Sequence, residues 1–204
     1  DQFKMATIFK GEVVVATGNL RVKKYAAVKL ICSPSVETMT KLKIEEKAMS
    51  LLKQENRNSN VIKLLDHKQV NDKLVIAMDL CSGTVSEHLK GIKLEKQLPS
   101  DKDLCYQTLN GVVQIHGNPK EPKSIAHLDL KPSNIFLHAP GGEDYEVVVA
   151  DFGCAQIFTG DQLLRADGVG TPLYMSPERI QHMENKRLEV EDQDLIKAHI
   201  LSTK

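Results

Sequence analysis

The sequence of 204 residues contains no tryptophan, only four cysteines and no long run of apolar residues. Its 27 Lys and Arg residues balance its 27 Asp and Glu residues, so it lacks the surplus of positive charge that a general nucleic-acid binder needs to neutralise phosphates. The longest apolar runs, such as Leu74 to Met78, are far too short to span a bilayer. With 41% hydrophobic and 26% charged residues, the composition is that of a globular protein, which excludes collagen-like, disordered and membrane-embedded chains.

The four cysteines, Cys32, Cys81, Cys105 and Cys154, lie far apart and form no CxxC pair. A structural zinc site needs closely spaced ligand pairs, and a small disulfide scaffold needs a higher density of cysteine. We therefore expect reduced thiols that fill apolar space, in a protein on the cytoplasmic, reducing side of the membrane. Because the sequence begins with Asp1 rather than Met, we expect it to be a piece of a longer protein, whose other parts could carry a membrane anchor.

The first part of the chain has the pattern of a small sheet with one helix. Apolar and β-branched runs at Val13 to Val15 and at Tyr25 to Ile31 predict strands, whereas the apolar stripes between Ser33 and Gln54 recur at helical spacing. Two further runs, Val61 to Val70 and Lys73 to Asp79, predict strands joined by a tight turn. One further strand is expected before the helix, so the expected order is three strands, one helix and two strands.

Residues 81–204 have a different character. Val85 to Leu89 and Leu104 to His116 predict helices, the second with one apolar face. Two short strands, Ile135 to Leu137 and Glu146 to Ala150, follow and are separated by a turn that contains proline and glycine. The second part is therefore expected to be richer in helix than the first.

Four separated segments carry the strongest functional signal. In chain order they are Ala27-Val28-Lys29, His127-Leu128-Asp129-Leu130-Lys131-Pro132-Ser133-Asn134, Asp151-Phe152-Gly153, and Gly170-Thr171 through Ser176-Pro177-Glu178. A lone Asp-Phe-Gly is usually just a turn after a strand, but four such segments in order leave little room for chance. Together they resemble the eukaryotic protein-kinase family in its Ser/Thr form, over about residues 5 to 178.

The resemblance implies an α+β, bilobal fold in a single domain, 1–204. Its N-terminal lobe, 1–80, would hold an antiparallel sheet and one helix, and its C-terminal lobe, 81–204, would be mainly α-helical and incomplete in this chain. The resemblance also implies ATP and Mg²⁺ as cofactors and a protein substrate. It specifies neither the subfamily nor the oligomeric state.

Transfer of a phosphoryl group depends on charge neutralisation and positioning more than on covalent chemistry. Lys29 lies on a predicted strand, from which its ammonium could reach the α- and β-phosphates of ATP. A buried lysine needs an acidic partner, and the helical stripe favours Glu45, with Glu46 as the open alternative. The resemblance makes Asp129 the catalytic residue that orients the substrate hydroxyl and Lys131 the residue that steadies the transferring phosphoryl group.

Asn134 and Asp151 match the residues that supply oxygen ligands to Mg²⁺ in the family. The predicted strand that ends at Asp79 leads into the segment expected to bind adenine. The residues expected to contact the nucleotide are Gly11, Val13, Ala27, Lys29, Met78, Asp79, Cys81 and Phe136. Most of these contacts are apolar or made by the backbone, so the sequence constrains them only loosely.

Three features depart from the family pattern. Ala6 and Ile8 replace two glycines of the phosphate-binding loop that ends at Gly11, where side chains would crowd the approach of backbone amides. Leu128 replaces the arginine that normally receives an activation-loop phosphate. The segment after Glu178 lacks the tryptophan-containing signature of the family's helical core, and we expect one side of the preceding long helix to be exposed as a result.

Three functions remain open from the sequence. The favoured one is a Ser/Thr protein kinase that transfers the γ-phosphoryl group of ATP to a protein hydroxyl. The alternative is a pseudokinase, which keeps the fold as a nucleotide-binding or scaffold module. A small-molecule phosphotransferase of kinase-like architecture is disfavoured, because such proteins normally lack both Asp-Phe-Gly and the Gly-Thr to Pro-Glu segment. The presence of Lys29, Asp129, Asn134 and Asp151 favours activity. The replacement of two loop glycines by Ala6 and Ile8 opposes it.

Overall fold

The computed structural model describes residues 6–17, 20–32, 36–54, 59–117, 123–139, 144–159 and 169–185. Its first five elements are β1 (Ala6–Thr17), β2 (Leu20–Cys32), α1 (Val36–Gln54), β3 (Leu64–Val70) and β4 (Lys73–Asp79). The strands form one antiparallel sheet in the order β1-β2-β4-β3. Two strands precede α1 in the described residues, and not the three that were predicted, because β1 runs unbroken through the segment expected to form the glycine-rich loop.

Both faces of strand β2 contribute buried apolar side chains. On one face, Ile31 is buried in the main core together with Met49 of α1. On the other face, Ala26 and Val28 are buried in a second, smaller apolar cluster. Because side chains alternate along a strand, Lys29 lies on the same face as Ile31, next to α1.

The rest of the described chain contains three α-helices and two small sheets. The elements are β5 (Gly83–Thr84), α2 (Val85–Leu89), α3 (Asp101–His116), β6 (Lys123–Ala126), β7 (Ile135–His138), β8 (Glu146–Val149), β9 (Gln156–Thr159) and a final helix, α4, over residues 177–185. One sheet has the order β5-β7-β8, and β6 pairs with β9. All of these pairs are antiparallel.

Capping side chains set the starts of α2 and α3. Thr84 Oγ1 accepts a hydrogen bond from the Glu87 amide at 3.2 Å, and the Glu87 carboxylate accepts one from the Thr84 amide at 2.7 Å, which completes a capping box. Ser100 Oγ accepts a hydrogen bond from the amide of Asp103 at 3.2 Å. This cap explains why α3 begins at Asp101, before the first apolar residue of the predicted helix.

One buried cluster joins the two parts of the molecule, extending from Ile31 to Ile115 of α3, Val149 of β8 and Phe152. The α+β class and the antiparallel N-terminal sheet with one helix agree with the prediction. Both helices predicted in the C-terminal part are present, as α2 and α3, and the chain after Glu178 is described only as far as residue 185. No helix in the described part of the chain is both long and apolar enough to cross a membrane.

Candidate active site

Lys29 and Glu45 meet in the interior between β2 and α1. Lys29 Nζ lies 2.5 Å from Glu45 Oε2 and 3.6 Å from Asp151 Oδ1. Burial alone would lower the pKa of Lys29, but the carboxylates of Glu45 and Asp151 outweigh burial and raise that pKa. Lys29 is therefore a positioned cation at neutral pH, which is what a ligand for phosphate oxygens requires.

Glu46, the open alternative to Glu45, makes different contacts. Its carboxylate accepts a hydrogen bond from Ser50 Oγ at 2.9 Å and lies 3.1 Å from His67 Nε2. Successive residues of an α-helix point in directions about 100° apart, so only one of the two glutamates can face Lys29. Burial raises the pKa of Glu45, and the neighbouring Lys29 offsets this only in part.

Asp129 is the centre of a dense set of hydrogen bonds. Its Oδ2 accepts from Lys131 Nζ at 2.7 Å and from Asn134 Nδ2 at 3.1 Å, while its Oδ1 accepts from Thr171 Oγ1 at 2.7 Å. Burial alone would raise the pKa of Asp129, but these donors lower it. The hydrogen bond to Asp129 in turn raises the pKa of Lys131. The structure thus brings an oriented carboxylate and an ammonium together, two residues apart in the chain.

His127 is hydrogen-bonded to the backbone of Asp129 and of Ala150. His127 Nε2 lies 3.0 Å from the carbonyl oxygen of Ala150, and the Asp129 amide donates to His127 Nδ1 at 3.3 Å. A neutral ring with its proton on Nε2 satisfies both contacts. Burial lowers the pKa of His127, and the hydrogen bond to Ala150 offsets this only in part. The ring also packs against buried Phe152, with 5.2 Å between ring centroids.

Two residues of the site have left-handed backbone conformations. Leu128 has φ 64° and Asp151 has φ 67°. This conformation costs a non-glycine residue about 1–2 kcal/mol, and it persists only where surrounding contacts hold it, most often at functional sites. Asp151 is itself a residue of the candidate site, and Leu128 directly precedes Asp129 in the chain.

Asn134 and Asp151 present oxygen atoms suited to Mg²⁺. Asn134 Nδ2 donates to the carbonyl oxygen and to Oδ2 of Asp129, so the amide oxygen of Asn134 is left to face another ligand. The Asp151 side chain is half-exposed and close to Lys29. Carboxylate and amide oxygens, completed by phosphate and water, are the ligands that Mg²⁺ prefers. In the described part of the chain, no group of three His, Cys, Asp or Glu side chains could hold a metal.

The segment predicted to bind adenine lies at the end of β4. Met78 is opposite Ala27 of β2, on the Lys29 face of the sheet. Beyond it, Cys81 Sγ lies 3.9 Å from the carbonyl oxygen of Asp79, and burial raises the pKa of the Cys81 thiol to about 12, so this thiol stays protonated. Phe136 is half-buried on β7. Met78, Cys81 and Phe136 all pack against the main buried cluster of the protein.

The structure differs from the prediction for Gly11 and Val13. Only two residues connect β1 to β2, and the resulting register sets Gly11 opposite Ala26 and Val13 opposite Lys24. Residues directly opposite each other in an antiparallel pair share a face, so Gly11 and Val13 lie on the face away from Lys29. Val13 packs there against the small apolar cluster that contains Ala26 and Val28. A Cβ at Gly11 would lie 2.9 Å from a methyl group of Val28, so glycine at this position allows close packing.

Other residues of β1 occupy the Lys29 face instead. Ile8 is opposite Lys29, Lys10 is opposite Ala27, and Ala6 is opposite Ile31. Ala6 and Ile8, expected at glycine positions of a phosphate-binding loop, are thus paired strand residues.

Sequence reasoning missed the contacts of two residues. The Gly-Thr motif indicated Thr171 only as part of a segment, and its hydroxyl donates to Asp129. The buried Asp79 side chain is 2.6 Å from Lys24 Nζ and 3.9 Å from His138 Nε2. No local pattern could predict this second cluster, because its members are far apart in the chain.

A buried lysine–glutamate pair lies between the N-terminal sheet and α1, and Asp129 accepts hydrogen bonds from Lys131 and Thr171 in the C-terminal part. This arrangement is compatible with the resemblance to the protein-kinase family. The family sequence model for the protein kinase domain matches residues 10–191 of this chain. The chain belongs to the protein kinase family.

The curated relatives are protein kinases by name, and some of them are named serine/threonine-protein kinases. Serine/threonine-protein kinase pakB of Dictyostelium discoideum is 33% identical over 176 residues, which cover 84% of this chain and 18% of that protein. Calcium-dependent protein kinase 5 of Plasmodium falciparum (isolate 3D7) is 28% identical over 201 residues, covering 93% of this chain and 31% of that protein. A probable serine/threonine-protein kinase, fhkD of Dictyostelium discoideum, is 30% identical over 181 residues, covering 83% of this chain and 23% of that protein. The chain thus spans less than a third of the length of each of these relatives.

Proposed function

We propose that this chain is the catalytic domain of a Ser/Thr protein kinase, which transfers the γ-phosphoryl group of ATP to a serine or threonine hydroxyl of a protein substrate. The observation that carries the proposal is the arrangement at Asp129, whose two carboxylate oxygens accept hydrogen bonds from Lys131, Asn134 and Thr171. Relatives that are named serine/threonine-protein kinases support the same substrate class.

In this proposal each polar residue has a separate task. Asp129 orients the substrate hydroxyl and takes up its proton as the oxygen bonds to the γ-phosphorus and ADP leaves. Lys131, 2.7 Å from Asp129, offsets negative charge on the transferring group, and Lys29 holds the α- and β-phosphates. Asn134 and Asp151 are the residues that would hold Mg²⁺, which neutralises phosphate charge when bound.

Substitution of Asp129 tests this function directly. In the purified protein, Asp129→Asn should lower turnover of a generic protein substrate with radiolabelled ATP by about 10²–10⁴-fold, the range for loss of general acid–base catalysis. The affinity for Mg²⁺-ATP should change far less, because Asp129 acts on the hydroxyl. Asp144→Asn, an exposed aspartate outside the site, is the matched control. Equal turnover by Asp129→Asn and the wild type would contradict the assignment.

The alternative function is a pseudokinase that binds nucleotide or serves as a scaffold. One observation favours it: Ala6 and Ile8 are extended strand residues, so side chains stand where the family uses glycine amides to approach phosphate. The same assay separates the two functions. A wild-type protein that binds Mg²⁺-ATP but transfers no phosphate to any protein would favour the pseudokinase.

Three further expectations belong to this proposal. Residues 1–80 and 81–204 would be the two lobes of one domain that closes on the nucleotide. The partner would be a protein substrate, with no nucleic acid involved. The location would be the cytoplasmic side of a membrane, in a reducing compartment, and the free thiols at the described cysteines are compatible with it.

A further inference from the structure

Arg179 of α4 connects two separate loops of the candidate active site. Its Nη1 donates to the carbonyl oxygen of Leu128 at 2.9 Å, and its Nη2 donates to the carbonyl oxygen of Val169 at 2.5 Å. Its Nε is buried and has no acceptor among the described residues. The two carbonyl groups are therefore the contacts that fix the guanidinium, and they lie 41 residues apart in the chain.

Both carbonyl groups belong to backbone that leads into a polar side chain of the site. The Leu128 carbonyl shares its peptide unit with the Asp129 amide, which donates to His127 Nδ1 at 3.3 Å. This peptide unit is thus held at its oxygen by Arg179 and at its nitrogen by His127. Val169 lies two residues before Thr171, whose hydroxyl donates to Asp129 Oδ1 at 2.7 Å. The guanidinium of Arg179 is therefore hydrogen-bonded to backbone close to both partners of the Asp129–Thr171 hydrogen bond.

Close packing makes the junction sensitive to small displacements. Gly170 has φ 101°, and a Cβ at this residue would lie 2.5 Å from the carbonyl oxygen of Leu128. Leu128 itself has the left-handed φ of 64°, which requires contacts to maintain it. The hydrogen bond from Arg179 is made to the carbonyl oxygen of this same residue.

We propose that Arg179 is a positioning residue for phosphoryl transfer, which locks the catalytic loop (residues 127–134) to the substrate loop (residues 169–176). The lock maintains Asp129 and Thr171 at hydrogen-bonding distance. Its kinetic consequence rests on the proposed kinase function, whereas the contact itself does not. A guanidinium has several donors in a rigid plane and can bond two carbonyl groups at once, while a lysine ammonium is a single point charge on a flexible stem.

The test compares Arg179→Ala and Arg179→Lys with the wild-type protein, and Gln181→Ala, an exposed residue of α4, is the matched control. Hydrogen exchange is measured on peptides from the catalytic and substrate loops, together with kcat and the KM for ATP. Arg179→Ala should accelerate exchange in both loops and lower kcat by about 10–100-fold, the cost of a small misplacement of reacting groups. The KM for ATP should change by less than about threefold, since the two hydrogen bonds of Arg179 go to the carbonyl oxygens of Leu128 and Val169, neither of which is proposed to bind the nucleotide. For Arg179→Lys, kcat and the exchange rates should lie between those of Arg179→Ala and the wild type. For Gln181→Ala, both should match the wild type.

A second variant perturbs the same junction from the other side. Gly170→Ala should reproduce the loss of kcat through the close approach to Leu128, and it carries the test if Arg179→Ala does not fold. Unchanged exchange in Arg179→Ala would overturn the proposal, as would faster exchange with unchanged kcat, or a loss confined to the KM for ATP. A wild-type protein without transferase activity would count against the kinase function alone, because the exchange comparison would still decide whether Arg179 joins the two loops.

Discussion

Lys29 Nζ lies 2.5 Å from Glu45 Oε2, and Glu46, the next residue of the same helix, lies 3.1 Å from His67. Adjacent glutamates on α1 thus have different partners, one in the interior and one nearer the surface. The interior pair fixes the cation expected to bind phosphate and ties α1 to the sheet. A charge in the interior without its partner is costly, so the two glutamates should respond very differently to the same substitution.

Glu45→Gln should destabilise the protein more than Glu46→Gln does. Loss of one partner of a buried pair costs about 3–5 kcal/mol, and the amide of Gln together with Asp151 reduces this to about 1–3 kcal/mol. The more exposed pair of Glu46 and His67 contributes about 0–1 kcal/mol. Urea denaturation measures both values, and Mg²⁺-ATP turnover should fall only for Glu45→Gln. Equal losses of stability and activity would contradict this distinction.

Asp151→Asn should weaken the Mg²⁺-dependent part of ATP binding. The substitution removes a negative charge from a half-exposed carboxylate 3.6 Å from Lys29, at the site assigned to the metal. Substitution of a residue that contacts a metal only through another ligand lowers metal affinity by about 10–100-fold, and loss of a direct ligand should lower it at least as much. Thermal-shift titration with ATP, with and without Mg²⁺, gives the measurement, and Asp144→Asn is the control. An identical Mg²⁺ response in Asp151→Asn and the wild type would remove Asp151 from the metal site.

The sequence predicted most elements because periodicity and turn residues are local signals. The run Lys73 to Asp79 forms β4 with those bounds, and Val85 to Leu89 forms α2. The face on which Val13 lies could not be predicted, because it depends on the register of β1 against β2, and a shift of one residue reverses every side chain. The contact of Arg179 with Leu128 was equally out of reach, since it joins residues 51 positions apart through a backbone oxygen.

His127 should make the stability of the protein depend on pH below neutrality. Burial lowers the pKa of His127 from its ordinary value of 6.5. As the pH falls below 6.5, the unfolded chain binds a proton at this residue before the folded protein does, so the free energy of unfolding decreases by up to about 1.4 kcal/mol per pH unit. Above pH 6.5, neutral His127 makes its full contribution to the free energy of unfolding.

His127→Gln should remove that pH dependence, because glutamine retains hydrogen-bonding groups without a titrating ring. Urea denaturation at a series of pH values from neutral to mildly acidic compares the two proteins, and His88→Gln, at an exposed position of α2, is the control. The difference in stability between His127→Gln and the wild type should narrow as the pH falls. Parallel curves for the two proteins would show that His127 does not titrate differently on folding.

Helix α3 offers a matched pair of aliphatic residues with opposite environments. Ile115 is 1% exposed in the core, whereas Leu109 is 65% exposed beside Tyr106 and Val113, which are also exposed. Ile115→Ala should cost about 2–5 kcal/mol, because it leaves a cavity, and Leu109→Ala should change stability by less than about 0.5 kcal/mol, as surface substitutions usually do. Both changes remove methyl and methylene groups from the same helix, so urea denaturation isolates the effect of burial. The expectation from the sequence was that one side of this helix lacks its cover in this chain. A cost above about 2 kcal/mol for Leu109→Ala would show that this side of α3 is buried in the intact protein.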